Sequence, residues 1–172
     1  MELKRIIEAI LFVSGRPVSL ATFYKKLEGC SAPDIEAALS ELLAEYNYSD
    51  RALEIVQVSG GYQMRTKLDY KEWVKRFVKE KDVELTRSVL ETLAVIAYKQ
   101  PVAKREVDAL RGVDSSRAVK HLLERKLIEI AGRNEDDGKP IVFRTTSRFL
   151  EVYGLRGLGD LPTAKELQAL ER

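Results

Sequence analysis

The sequence predicts a mostly helical α+β fold made of two units in tandem, each with three helices and a β-hairpin. Three observations carry that expectation. Segments 10–66 and 94–146 repeat the same order of local signals. In each copy an apolar helix ends at a polar step and a proline: Ile10-Leu-Phe-Val-Ser-Gly-Arg-Pro17-Val18, then Ala94-Val-Ile-Ala-Tyr-Lys-Gln-Pro101-Val102. A short helix then closes on glycine, at Gly29 and at Gly112, and a longer amphipathic helix and a hairpin follow. Three helices plus a two-stranded hairpin make a winged helix, the helix-turn-helix relative with a wing. The expected domains are 1–68 and 85–155, joined by a linker helix over 69–84 and followed by a tail over 156–172.

Each element has a local reason. Leu3, Ile6, Ile7, Ile10 and Leu11 recur at helical spacing, and Gly15-Arg16-Pro17 stops that helix because proline lacks a donor and clashes with the preceding turn. Ser19 is placed to cap the next helix, whose Leu20, Phe23 and Leu27 face inward. The third helix has an apolar stripe of Ile35, Leu39, Leu42, Leu43 and Tyr46. Leu53–Val58 and Tyr62–Thr66 flank Ser59-Gly60-Gly61, a hairpin signal because glycine supplies the positive φ of a tight turn. In the linker, Tyr70, Trp73, Val74 and Phe77 fall at helical spacing and predict a docked helix.

The second copy starts with Thr86 as cap and Val89, Leu90, Leu93, Ala94 and Ala97 as the buried stripe. Asp114 is expected to cap the helix carrying Val119, Leu122 and Leu123. Strands over 127–131 and 141–145 enclose a polar loop, Asn134-Glu-Asp-Asp-Gly-Lys-Pro140. A further helix carries Phe149, Leu150 and Tyr153, and Thr163-Ala-Lys-Glu166 has the spacing of a capping box.

Composition narrows the function. A formal net charge of +2 over 172 residues implies no polyanionic partner by itself. The single cysteine, Cys30, excludes an internal disulfide and fits a reducing cytosol. Glu8 interrupts the apolar stretch near the start, no small-residue cleavage site follows, and no run approaches the ~18 apolar residues of a membrane span. A soluble intracellular protein is expected. His121 is the only histidine and has no marked serine or carboxylate partners, and one histidine with one distant cysteine cannot build a zinc site. Glu135-Asp-Asp-Gly138 lacks the alternation of a calcium loop. Gly154-Leu-Arg-Gly-Leu-Gly159 lacks the strand and the lysine of a phosphate cradle. No catalytic residue, metal site or cofactor is expected.

The contest is between nucleic acid and protein as partner, since the fold serves both. In the first copy the third helix offers Asp34, Glu36, Glu41 and Glu45 and no basic residue, which repels phosphate. The second copy has Arg117, Lys120, Arg125 and Lys126 around its third helix, but an acidic wing.

Long stretches resemble the segregation and condensation protein B family. They include 86–102, Leu110-Arg-Gly-Val-Asp-Ser115, Leu122-Leu-Glu-Arg-Lys-Leu-Ile128, Ala131-Gly-Arg133, 145–150 and Gly159-Asp-Leu-Pro162, with Ile10–Gly15 and Glu54–Tyr62 earlier. Two departures stand out: the resemblance favours a smaller residue such as glycine at Arg144, and the linker over 71–81 is more basic. It implies tandem winged helices and a non-enzymatic subunit of the prokaryotic chromosome-condensing complex. It also implies a homodimer, a kleisin partner (segregation and condensation protein A), and an SMC ATPase reached through the kleisin. Location is then cytoplasmic and nucleoid-associated, with weak or indirect DNA association, no membrane and no small-molecule substrate. The runner-up is a dimeric transcription regulator reading DNA with the second copy. The first copy is expected to carry the dimer contact, on an arc of Leu3, Ile6, Ile7 and Ile10 extended by Phe12 and Val13. The kleisin is expected on the second copy and the segment after it. There Arg111, Val113, Arg117 and Lys120 offer a third-helix face, followed beyond the wing by Phe149, Tyr153, Leu155 and Leu158. The alternative is that Phe149 and Tyr153 pack back on the second copy.

Overall fold

Glycine and proline punctuation cuts each half of the chain into helices too short to stand alone, so each must pack on its neighbours. The computed structural model describes residues 2–48, 50–78, 85–133, 140–163, 165–166 and 169. Contacts divide the chain into two units, Met1–Lys81 with Gly154–Arg172, and Asp82–Tyr153. Residues 154–172, read from sequence as the end of the second domain and a tail, thus group with the first unit. The expected linker beyond Val78 and the second-wing loop at 134–139 lie outside the described residues.

In the first unit α1 (Leu3–Ser14) ends where Gly15 turns left-handed, with φ 58°. Helix α2 (Leu20–Lys26) is capped as expected, Thr22 N donating to Ser19 Oγ at 3.2 Å. Helix α3 (Ala32–Asn47) starts earlier than its acidic stretch suggests, because Ser31 Oγ accepts from Asp34 N at 3.3 Å and Pro33 lies in the first turn. Strands β1 (Leu53–Val58) and β2 (Gly61–Thr66) pair antiparallel from Leu53↔Thr66 to Val58↔Gly61. Ser59 and Gly60 form the two-residue turn, with φ 51° and 68°. Val18 exchanges two 2.9 Å hydrogen bonds with Tyr62 on the free side of β2. The approach is so close that a Cβ on Gly61 would lie 2.8 Å from the Val18 carbonyl carbon and oxygen. The core joins all three helices to the wing through Ile7, Leu11, Phe23, Ile35, Leu39, Leu42, Tyr46 and Ile55.

A 3-10 turn (Leu68–Tyr70) leads into α4 (Lys71–Phe77), and no side chain of either is buried. The docked helix is therefore corrected: Trp73 is 62% and Phe77 87% exposed, and the Arg76 guanidinium lies 4.5 Å from the Trp73 ring centre. Periodicity reported an apolar face of which, among the described residues, only Val74 is even half-buried.

The second unit runs α5 (Arg87–Lys99), β3 (Val102–Ala103), α6 (Lys104–Arg111), α7 (Ser116–Glu124), β4 (Ile128–Arg133), β5 (Ile141–Thr145) and α8 (Ser147–Tyr153). Its antiparallel sheet has the order β3-β5-β4. Val102 pairs with Phe143, so the residue after each repeat proline bonds to its wing, as an isolated bridge at Val18 and as the start of a two-residue strand at Val102. A bulge lies between Ile130 and Gly132, where glycine takes φ 139°. Both units are winged helices. Two local expectations are corrected. Leu90 and Ala94 are exposed, while α5 buries the expected Val89, Leu93 and Ala97 together with Thr92 and Ile96. Asp114 does not cap α7: its carboxylate accepts from Lys104 Nζ and Ser116 Oγ, both at 2.7 Å, and Ser115 takes the cap position.

Candidate interaction surfaces

The outer face of α3 is acidic but largely answered from within its unit. Lys4 Nζ lies 3.3 Å from both Glu41 and Glu45, Arg51 bonds Glu45 at 2.8 Å, and the Tyr24 hydroxyl donates to Glu36. The Glu45 and Glu41 carboxylates hold the Lys4 ammonium above the ordinary lysine range. Sequence reasoning passed over Asn47 at the end of α3. Its amide accepts from Ile55 N at 3.1 Å and donates to Ile55 O at 3.0 Å, closing the outer edge of β1. The available signal was an asparagine ending a helix eight residues before a strand residue.

The expected dimer residues divide. Ile7 is fully buried, Leu3 and Ile10 pack against the core, and Ile6 is half-buried. Helix α1 therefore spends most of that stripe on its own unit, which corrects the reading of Leu3, Ile7 and Ile10 as a free face. The apolar surface that α1 leaves outside is Phe12 and Val13, 70% and 80% exposed.

The expected kleisin residues divide as well. Arg117 and Lys120 stand exposed on α7, Lys120 3.9 Å from Glu124. Val113 is exposed after α6, beside exposed Leu110, which sequence reasoning left out. Arg111 belongs to α6 rather than the third helix, and its side chain is only 10% exposed. It donates to Ser88 O at 2.8 Å and to Thr92 Oγ1, and pairs with Glu91 at 3.0 Å, so it ties α6 to α5. Phe149 is buried at 4%, its ring centre 4.9 Å from that of Tyr153. Tyr153 keeps 43% of its surface exposed, and burial of the rest pushes its phenol pKa up. Leu155 falls in the first unit, apart from the others. Arg111 is thus corrected from an exposed contact to an internal support, and for Phe149 the alternative of packing back on its own unit is the one the structure has.

Lys104, Asp108, Asp114 and Ser115 form a polar network at the start of α7. Lys104 Nζ reaches Asp108 at 2.7 Å, and Asp108 accepts from Ser115 N at 2.8 Å and from its hydroxyl. His121 Nε2 accepts from Arg125 Nε at 2.9 Å within α7 and its cap. Cys30 is half-buried against the first core. Among the described residues no cluster of three His, Cys, Asp or Glu could hold a metal, and no helix is long and apolar enough to cross a membrane.

These two winged helices align with known proteins over almost their whole length. The family model described as "Segregation and condensation complex subunit ScpB" matches residues 5–164. The chain belongs to that family. A segregation and condensation protein B from Syntrophotalea carbinolica is 42% identical over 172 residues, all of this chain and 87% of its own. One from Alkaliphilus oremlandii is 39% identical over 166 residues, covering 96% of this chain and 89% of its own. The crystal structure of ScpB from Mycobacterium tuberculosis is 35% identical, covers 90% of this chain and 96% of its own, and superposes with a TM-score of 0.42. As an ScpB-family subunit, the chain acts in chromosome segregation and condensation.

Proposed function

We propose that the chain is a non-enzymatic adaptor of the prokaryotic SMC–kleisin complex, dimeric through its first unit and holding the kleisin on its second. Family membership over 5–164 is the observation that carries this reading. Surface chemistry supports protein over DNA as the principal partner. The α3 face repels phosphate, and on α7 the cations are few enough for only weak, salt-sensitive contact. On the first unit Phe12 and Val13 offer the exposed apolar surface for a second copy. On the second unit Val113, Arg117, Lys120 and Tyr153 offer the mix of apolar, aromatic and arginine groups that interface centres favour. An SMC ATPase is then reached through the kleisin, in the cytoplasm beside the nucleoid.

The test is co-purification of a tagged full chain from native extract, read by mass spectrometry. A kleisin and an SMC protein should be recovered together. Recovery of neither, with sequence-selective duplex binding that survives at about 200 mM salt, would replace the adaptor with a transcription regulator.

A further inference from the structure

The glycine-rich run from Gly154 to Pro162 follows the last helix of the second winged helix, α8 (Ser147–Tyr153). In the structure it belongs to the first unit, so 82–153 is an insertion between two pieces of that unit. Its seat is the tip of the first wing. A two-residue hairpin turn leaves the N–H groups of its two central residues outside the strand ladder. Here those donors are taken: Ser59 N donates to Leu155 O at 2.8 Å and Gly60 N to Arg156 O at 3.0 Å. Two adjacent donors meet two consecutive carbonyls.

The run is shaped to present those carbonyls. Gly154 takes φ 68°, turning the chain immediately after α8. Arg156 forks onto Asp160, with Nε 3.1 Å from Oδ2 and Nη2 3.0 Å from Oδ1, while Arg156 N donates to Oδ2 at 2.8 Å. Asp160 N closes the ring onto Gly157 O at 3.1 Å. A bidentate arginine–carboxylate pair fixes geometry as well as charge. Arg156 lines a shallow cleft on the wing together with Gln57, Val58, Gly60 and Tyr62.

We propose that Gly154–Pro162 is a latch that closes on the first wing, occupying in cis the tip groups with which a winged helix would otherwise contact a strand or a phosphate. The first unit is thereby completed only when the chain has returned from the second.

Hydrogen exchange on the full chain, resolved to single amides, tests it. In the parent protein Ser59 and Gly60 should exchange slowly. In an Arg156→Ala/Asp160→Ala variant both should speed up by about ten-fold or more, while amides of Ile35–Leu42 and Leu93–Ala97 stay unchanged. Exchange at Ser59 and Gly60 as fast as in an open turn of the parent chain overturns the latch. So does identical exchange in parent and variant. If the helices of the variant also lose protection, the parent measurement decides alone.

Discussion

Asp108 shows how much of the second winged helix rests on one carboxylate. It sits on α6 and receives Lys104 from its own helix and Ser115 from the entry to α7. The Lys104 ammonium, with the Ser115 hydroxyl and N–H, lowers its pKa from 3.8 to about 2. A carboxylate depressed in the folded state stabilises the fold fully above its unfolded value. That contribution is lost as pH falls toward the folded value. Asp108→Asn should therefore melt below the parent at pH 7, and the gap should narrow between about pH 4 and about pH 2. Circular dichroism melts across that window check it. Equal melting at pH 7, or a gap that ignores pH, would remove the network from the stability of the unit. Phe149 makes the complementary point. It is an aromatic one helical turn from the surface residue Tyr153, yet its ring is in the core. Fraction buried, not residue type, separates support from contact.

The wings repeat more deeply at the level of elements than the residue pattern suggests. In each, the second residue of the first strand pairs across with the penultimate residue of the second: Glu54 with Arg65 and Glu129 with Arg144, both at 2.8 Å. Arg144, unexpected by family pattern, is thus the counterpart of Arg65. Such exposed cross-strand pairs contribute about 0.2–1 kcal/mol. Glycine at the first turn divides into two roles that a substitution pair can separate. Gly60→Ala finds open space but places a Cβ at φ 68°, a cost of about 1 kcal/mol. Gly61→Ala drives a Cβ into the Val18 backbone and should cost clearly more in urea unfolding. Equal losses would mean that the Val18 bridge yields freely. Helices and hairpins were legible because apolar period, glycine and proline report local conformation directly. The bridges at Val18 and Val102 were not, since one or two residues are too short for a strand pattern. Nor was the bareness of α4, because periodicity marks an apolar face without saying what covers it. The latch on the first wing was hidden for another reason: its acceptors are backbone carbonyls, which no residue type announces. Of the candidate surfaces, charge was readable and exposure was not, as Ile7, Arg111 and Phe149 show.

At the scale of the molecule, two of the exposed apolar surfaces make separable predictions. On α1 the double change Phe12→Glu/Val13→Glu touches side chains already in water, so the fold should survive while a unit-one dimer should not. Light scattering on the full chain should then move from dimer to monomer, and a dimer that persists would place the contact elsewhere. The second surface lies on 82–153. Its exposed set, Val113, Arg117, Lys120 and Tyr153 with exposed Leu110, combines apolar side chains with two unburied cations. A kleisin segment carrying acidic and apolar residues complements both features. Interface energy concentrates in a few arginine and aromatic anchors, so Arg117→Glu and Tyr153→Ala should each weaken kleisin binding by about 1 kcal/mol or more in calorimetry. Phe149→Ala provides the contrast, because deleting a buried phenyl costs about 3 kcal/mol of folding rather than a contact. It should lower the melting temperature, whereas the two surface variants should melt with the parent. Unchanged affinity in both surface variants, with the fold intact by circular dichroism, would move the kleisin off this face.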